Sequence, residues 1–258
     1  MTNKSDVSTF RLMCPQKSWK NLKNISSLAL ESTRDYYKSM NDTKPAEALK
    51  KGIIELGFTA SKEQINAFII YLSELKRWNK AYNLTGLKKD EDIIIKHFLD
   101  SLLYLKAIPN GEIRIADIGS GAGFPGVPIK ILRPEIEMFL IEPSRKKSAF
   151  LNHIIRQLKL EKIEVIEKRI EETKVSKEIS SFVDIGMTRA LFSIKDFLKK
   201  ASHIVKKGGV LILNKGPKVQ EEINVLKDIK YEILTFGLPM SDIKRHIVIV
   251  NLSLQKKL

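Results

Sequence analysis

"DIGSGAGFPG" fills residues 117–126: an acid, then four glycines within eight positions, with a proline before the last. Glycine loses more backbone freedom on folding than any other residue, so such a run needs a reason. A short β-branched run at 113–118 leads into it and an apolar stretch follows, which predicts a strand, a glycine turn and a helix. In open α/β sheets that turn lies at the carboxyl edge. Backbone N–H groups there reach a carboxylate, a phosphate or a ribose hydroxyl with no Cβ between. A tight turn alone needs one or two glycines; four point to a ligand.

Two frames compete for that ligand. Gly121-Ala-Gly123-Phe-Pro-Gly126 matches G-x-G-x-x-G, the dinucleotide fingerprint, with Glu142 nineteen residues past Gly123. Asp117-Ile-Gly119-Ser-Gly121-Ala-Gly123 reads instead as a strand-end acid followed by alternating glycines, which suits S-adenosylmethionine. Asp117 would then act through the cationic amino-acid end, and Glu142 would accept the ribose hydroxyls. A strand-end carboxylate favours a sulfonium and an ammonium but repels a pyrophosphate, so the methyl donor is the expected ligand.

Outward from the loop, β-branched runs recur at 136–142, 163–167, 182–187, 210–215, 231–236 and 246–252. Helical stretches separate the first five, such as 144–160 with Leu151, Ile154, Ile155 and Leu158, which predicts parallel pairing. "KKGG" (206–209) reads as a basic last helical turn with a glycine stop. Only "GLPMSDIKR" separates the last two strands, too short for a parallel crossover, so the last strand is expected to run antiparallel to the one before. The fold class is α/β: a seven-stranded, mostly parallel sheet with a reversed last strand.

Upstream, Ser61-x-x-Gln64 forms a capping-box pattern before Ile65, Phe68, Ile69, Leu72 and Leu75 on one helical face. A second helix is expected from Asp90 to about Lys106, burying Ile94, Ile95, Phe98, Leu102 and Leu105. "WNKAYNLTG" (78–86) reads as their connection. The expected organisation is a basic Ser/Thr-rich extension (1–45), a helical region (46–110) and a Rossmann-like domain (111–258). The extension holds seven Ser, four Thr, eight basic and four acidic residues. It reads as a disordered arm, with an RNA-touching arm or a presequence as other readings.

The 258 residues carry a net charge of +15, which favours a polyanionic partner. Cys14 is the sole cysteine and no two of the four histidines lie at i, i+4, so neither a disulfide framework nor a metal site is expected. No apolar run is long enough for a membrane span. A cytoplasmic monomer is the expectation.

Several ordered blocks now match one family: "WNKAYNLT" (78–85), "HFLDS" (97–101), "DIGSGAGFPGVP" (117–128), "EPSRKKSAFL" (142–151), "TRA" (188–190), "KG" (215–216) and "RHIVIV" (245–250). Over about residues 50–252 the chain resembles the small-subunit rRNA guanine-N7 methyltransferases of the RsmG type, also called glucose-inhibited division protein B. The resemblance implies a class I methyltransferase fold, S-adenosylmethionine as donor and a guanine in the 530-region loop of 16S rRNA as acceptor. Naked rRNA or the small ribosomal subunit is the implied partner. Pro143 and Thr188 depart from the usual residues at their positions. Other readings are a methyltransferase for another RNA or a small molecule, and a non-catalytic RNA-binding protein on this fold.

The candidate donor site is Asp117, Gly119, Ser120, Gly121, Gly123, Phe124 and Glu142, with Glu171 and Glu172 near the adenine and Arg189 beside the glycine loop. Arg189 and Lys215, at the ends of the fourth and fifth strands, are expected to hold the target nucleotide, since both donate well to guanine O6 or phosphate. A salt bridge to a strand-end acid is the alternative for Arg189. Candidate RNA contacts are Asn79, Asn83, Arg145, Lys146, Lys147 and Arg245. His97 and Asp100, at i, i+3, either bond each other or face the site.

Overall fold

The computed structural model describes residues 43–173, 183–223 and 229–252, all within one unit, Met40–Leu258. The expectation for the N-terminal extension falls almost wholly outside them. Helix α1 (Lys44–Glu55) opens on Pro45, where a missing N–H costs nothing, and buries Ala46, Leu49 and Ile53. The capping box of α2 (Lys62–Tyr82) forms as expected: Gln64 N donates to Ser61 Oγ at 3.2 Å and Ser61 N to Gln64 Oε1 at 2.8 Å. The expected face is buried, joined by Tyr71.

Trp78–Tyr82 prove to be the last turn of α2, not a connection. The helix ends at Asn83 in the left-handed region (φ 50°), which a short polar side chain tolerates. The next helix, α3, runs unbroken from Asp90 to Lys106 but changes winding. It is α over Asp90–Ile93, π over Ile94–Leu99, α over Asp100–Leu102 and 3-10 over Leu103–Lys106. The π stretch turns Ile94, Ile95, Phe98 and Leu99 inward together.

Seven strands follow: β1 (Arg114–Ile118), β2 (Glu137–Ile141), β3 (Ile163–Ile166), β4 (Val183–Arg189), β5 (Val205–Lys215), β6 (Tyr231–Gly237) and β7 (Lys244–Asn251). Their spatial order is β3-β2-β1-β4-β5-β7-β6; the first five are parallel, and β7 is antiparallel to both neighbours. The expected reversal of the last strand is what the sheet contains. Helices α4 (Gly126–Leu132), α5 (Arg145–Gln157), α6 (Ile194–Ala201) and α7 (Val219–Ile223) connect it. Between β3 and β4 the described residues hold one 3-10 turn, Ile170–Glu172.

"KKGG" is corrected. It lies inside β5, where Lys206–Gly209 stand opposite Asp184 and the register slips between Val183↔Val205 and Ile185↔Val210. This is a bulge: Gly208 has φ +85°, and a Cβ on Gly209 would come 2.5 Å from the Asp184 carbonyl oxygen.

Alternation along the strands fills both faces of the sheet. Ile115, Met138, Leu140, Ile185, Met187 and Ile212 join one core with Leu49, Phe68, Phe98, Val127 and Phe150. Ala116, Ile118, Phe139, Leu211 and Val248 join another with Ile194, Phe197 and Ala201. The N-terminal helices therefore share a core with the sheet, on the face that bears α4 and α5.

Candidate active site

The glycine loop leaves β1 at the carboxyl edge, where β1 separates β2 from β4. Gly119, Gly121 and Gly123 have φ of +74°, +60° and +100°. Their surroundings differ. A Cβ on Gly123 would meet the Tyr71 hydroxyl at 2.6 Å and Val127 at 2.8 Å, and one on Gly126 would meet Leu140 at 2.5 Å and Asp117 at 2.8 Å. Protein packing therefore demands these two glycines. Leu191 lies against Gly119, 2.2 Å from where a Cβ would stand. At Gly121 the nearest atom is the Gly119 carbonyl oxygen, 3.9 Å from an added Cβ, so this backbone faces open space.

Two carboxylates flank the loop. Glu142, buried at the end of β2, accepts Gly121 N at 2.8 Å and Ser144 N at 2.9 Å. Asp117 is fully buried; its Oδ2 accepts Gly126 N at 2.9 Å, and its Oδ1 has no hydrogen-bond partner. Burial raises its pKa to about 7, opposed by the Gly126 N–H and the positive Arg189. From below, the Tyr71 hydroxyl donates to the Ala122 carbonyl at 2.5 Å, and Ser120 Oγ donates to the Asp117 carbonyl at 2.8 Å.

Beside the loop sits a buried charge cluster. Phe124 stacks on His97 at 4.4 Å and lies under the Arg189 guanidinium at 5.0 Å. Arg189 donates to His97 Nδ1 at 3.0 Å, the Lys96 carbonyl at 3.2 Å and Asp100 Oδ2 at 3.4 Å. His97 Nδ1 also lies 3.1 Å from the Lys96 carbonyl, and Nε2 lies 2.7 Å from Thr85 Oγ1. Burial and the neighbouring guanidinium lower the His97 pKa to about 3, so the ring is neutral. Asp100 Oδ1 also accepts Arg245 Nε at 2.8 Å and Asn214 Nδ2 at 3.1 Å. His97 and Asp100 thus each meet Arg189, in place of the i, i+3 bond that their spacing allowed.

The residues at this edge fit S-adenosylmethionine, the donor that the sequence motifs imply. The uncovered Gly121 backbone, the orphaned buried Asp117 Oδ1 and Glu142 at the end of β2 provide the backbone access and carboxylates that such a donor needs.

Residues 64–240 match the family described as GidB, rRNA small subunit methyltransferase G. The chain belongs to this family. It is 36% identical over 215 residues to Ribosomal RNA small subunit methyltransferase G of Acetivibrio thermocellus, covering 81% of this chain and 89% of that protein. With the protein of the same name from Caldanaerobacter subterraneus subsp. tengcongensis the identity is 40% over 215 residues, covering 80% and 90%. The fold is also that of a solved methyltransferase from Pyrococcus furiosus, at TM-score 0.51 and 14% identity over 70% of this chain and 94% of that one.

Within this methyltransferase G framework several expected contacts are engaged elsewhere. Lys215 Nζ donates to the Phe192 carbonyl and to Glu222 Oε1 at 3.0 Å; a nearly buried ammonium needs that carboxylate, so it braces the loop after β4. Asn79 donates to the Thr85 carbonyl and accepts Thr85 N, both at 2.9 Å, which pins the turn after α2. Glu171 pairs with Lys200, and Glu172 Oε2 accepts Arg169 N at 3.3 Å, closing the 3-10 turn. Ser120 and Phe124 are buried within the loop. Arg189 takes its salt-bridge alternative, although its partner acid comes from α3. Asn83, Arg145 and Lys146 are exposed and Lys147 is half-buried; Arg145 lies 3.4 Å from Glu167.

Tyr71, Leu191 and Asn214 were not anticipated at the site. For Tyr71 the signal was present, since it lies three residues past Phe68 and four before Leu75 on the apolar face of α2. Among the described residues no group of three or more metal-ligating side chains occurs, and no helix is long and apolar enough to cross a membrane.

Proposed function

We propose that this chain transfers a methyl group from S-adenosylmethionine to N7 of a guanine in the 530-region loop of 16S rRNA, acting in the cytoplasm on rRNA or the small subunit. The observation that carries the donor assignment is the open Gly121 backbone between Asp117 and Glu142 at the carboxyl edge of β1 and β2. Family membership supports the rRNA acceptor, and the resemblance of the quoted motifs supports N7.

When bound, the donor supplies an electrophilic methyl on its sulfonium. The chain's own work is placement. Glu142 orients the ribose end, Asp117 stabilises the cationic end through the loop, and the open Gly121 backbone admits the donor. Guanine N7 carries a lone pair and no proton, so no side chain need remove one; catalysis rests on holding two reactants in line. His97, neutral and bonded to Thr85 and Arg189, has no base role to fill. Arg245 is fixed through Nε on Asp100, and neither of its terminal nitrogens has a further partner among the described residues. It therefore presents a planar fork for the acceptor's O6 or phosphate, while Arg189 orders the floor beneath it.

Mass mapping of 16S rRNA from a strain lacking this gene tests the reading. Loss of one N7-methylguanine in the 530-region loop, restored by the purified protein with S-adenosylmethionine, is expected. An unchanged map overturns it.

A further inference from the structure

We propose that the last turn of α2 forms a second RNA contact, in which the Tyr82 ring stacks on an unpaired base adjoining the target nucleotide. This rests on the rRNA reading above and names a residue that recognises the substrate outside the donor site.

Tyr82 is a large aromatic residue left 44% exposed, and Ala81 and Asn83 on either side are exposed too, so no described element covers it. Its ring is nevertheless braced. It lies against Trp78 at 5.4 Å, and Trp78 is held by Phe150 at 5.5 Å and His153 at 5.0 Å. A rigid ring with one side against protein and the other in solvent is what a stacking platform needs, because little side-chain freedom is lost on contact.

The surroundings select the partner. Helix α5, on which Trp78 packs, opens with Arg145, Lys146 and Lys147. An aromatic face among cations, on a chain of charge +15, fits a base with its flanking phosphates.

Position ties this platform to the site. Three residues past Tyr82, Thr85 Oγ1 lies 2.7 Å from His97 Nε2, and His97 stacks on Phe124 of the glycine loop. Three residues span at most about 11 Å, so Tyr82 lies within that reach of Thr85, whose contact with His97 continues to the glycine loop.

The test compares Tyr82→Ala with Tyr82→Phe. For methyl transfer to 16S rRNA or small subunits, the alanine variant is expected to raise KM about 5- to 150-fold, the span of base–aromatic stacking. kcat and S-adenosylmethionine affinity should stay within twofold. Phenylalanine keeps the ring and should restore KM. A single-stranded RNA oligonucleotide carrying 2-aminopurine should be quenched by wild type and Tyr82→Phe but not by Tyr82→Ala. Lys146→Ala should flatten the salt dependence of RNA binding by about 0.7 in log–log slope, whereas Tyr82→Ala leaves that slope unchanged. A KM within twofold of wild type in Tyr82→Ala, or equal losses in both tyrosine variants, overturns the proposal. If wild type methylates no rRNA, the functional reading fails, and the quenching comparison still decides whether Tyr82 stacks a base.

Discussion

The hydroxyl of Tyr71, from helix α2, donates to the carbonyl of Ala122 at 2.5 Å, and the same oxygen would lie 2.6 Å from any Cβ on Gly123. A residue of the N-terminal helices thus sets the height of the glycine loop. Tyr71 is fully buried between Phe98, Phe124 and Phe150, with centroids 5.2, 5.4 and 6.2 Å away, so the ring has little room to move. Tyr71→Phe removes the donor and leaves a buried carbonyl unsatisfied, at about 1–3 kcal/mol. Thermal unfolding should show that loss, and calorimetric titration should show weaker S-adenosylmethionine binding. Donor affinity equal to wild type would mean that the loop keeps its shape without this bond.

The glycines should separate by variant. Gly121→Ala places a methyl into open space at φ +60°, so the protein should fold with a cost of roughly 1 kcal/mol while donor binding is lost. Gly123→Ala collides with Tyr71 and Val127, so stability itself should fall. Melting curves and donor titrations on the two variants check this. A Gly121→Ala protein that binds S-adenosylmethionine as wild type does would remove the donor from this backbone.

Asp117 predicts a pH effect with a defined sign. Its folded pKa, about 7, lies above the ordinary aspartate value near 3.9, so between those values the folded state holds more proton than the unfolded one. Its contribution is intact below pH 4, declines as pH rises from about 4 to 7, and is constant above. Denaturant titrations should show this decline in wild type and its absence in Asp117→Asn. A cationic donor favours the carboxylate, so S-adenosylmethionine affinity should strengthen as pH rises through 7 in wild type alone. Parallel stability profiles for the two proteins would contradict the buried, proton-holding carboxyl.

Chemistry and donor binding should part company with pH. With donor saturating, the methyl-transfer step in single turnover should be nearly flat from about pH 6 to 8.5, because N7 loses no proton and His97, with its pKa near 3, does not titrate there. A tenfold rise per pH unit would reveal a general base.

Arg189→Ala should slow that step strongly, with donor affinity little changed. It should also destabilise the fold by a few kcal/mol, since a buried Asp100 loses one of two arginines. Arg189→Lys should recover part of the rate, because one ammonium cannot donate to His97, Lys96 and Asp100 in the same plane. Single-turnover rates and melting temperatures on both variants decide it; an undiminished rate in Arg189→Ala leaves the residue a purely structural brace.

By itself the sequence determined what alternation and local chemistry encode. The strand runs fall within two residues of their strands because inward and outward positions alternate along each strand; only β5 differs, beginning five residues early at its bulge. Ser61 and Gln64 cap α2 because both partners lie within one turn. The reversed β7 followed from the length of the connection before it. The glycine run announced a ligand loop, but not that Gly123 and Gly126 serve packing while Gly121 faces open space. That division depends on Tyr71 and Leu140, which fold in from elsewhere. Nor could the sequence say which cations remain available. Arg189 and Arg245 share Asp100 across 89 and 145 residues of chain, and Lys215 is taken by Glu222 on the next helix. A buried charge must find a counter-charge, and only the tertiary structure brings these partners to one sheet edge.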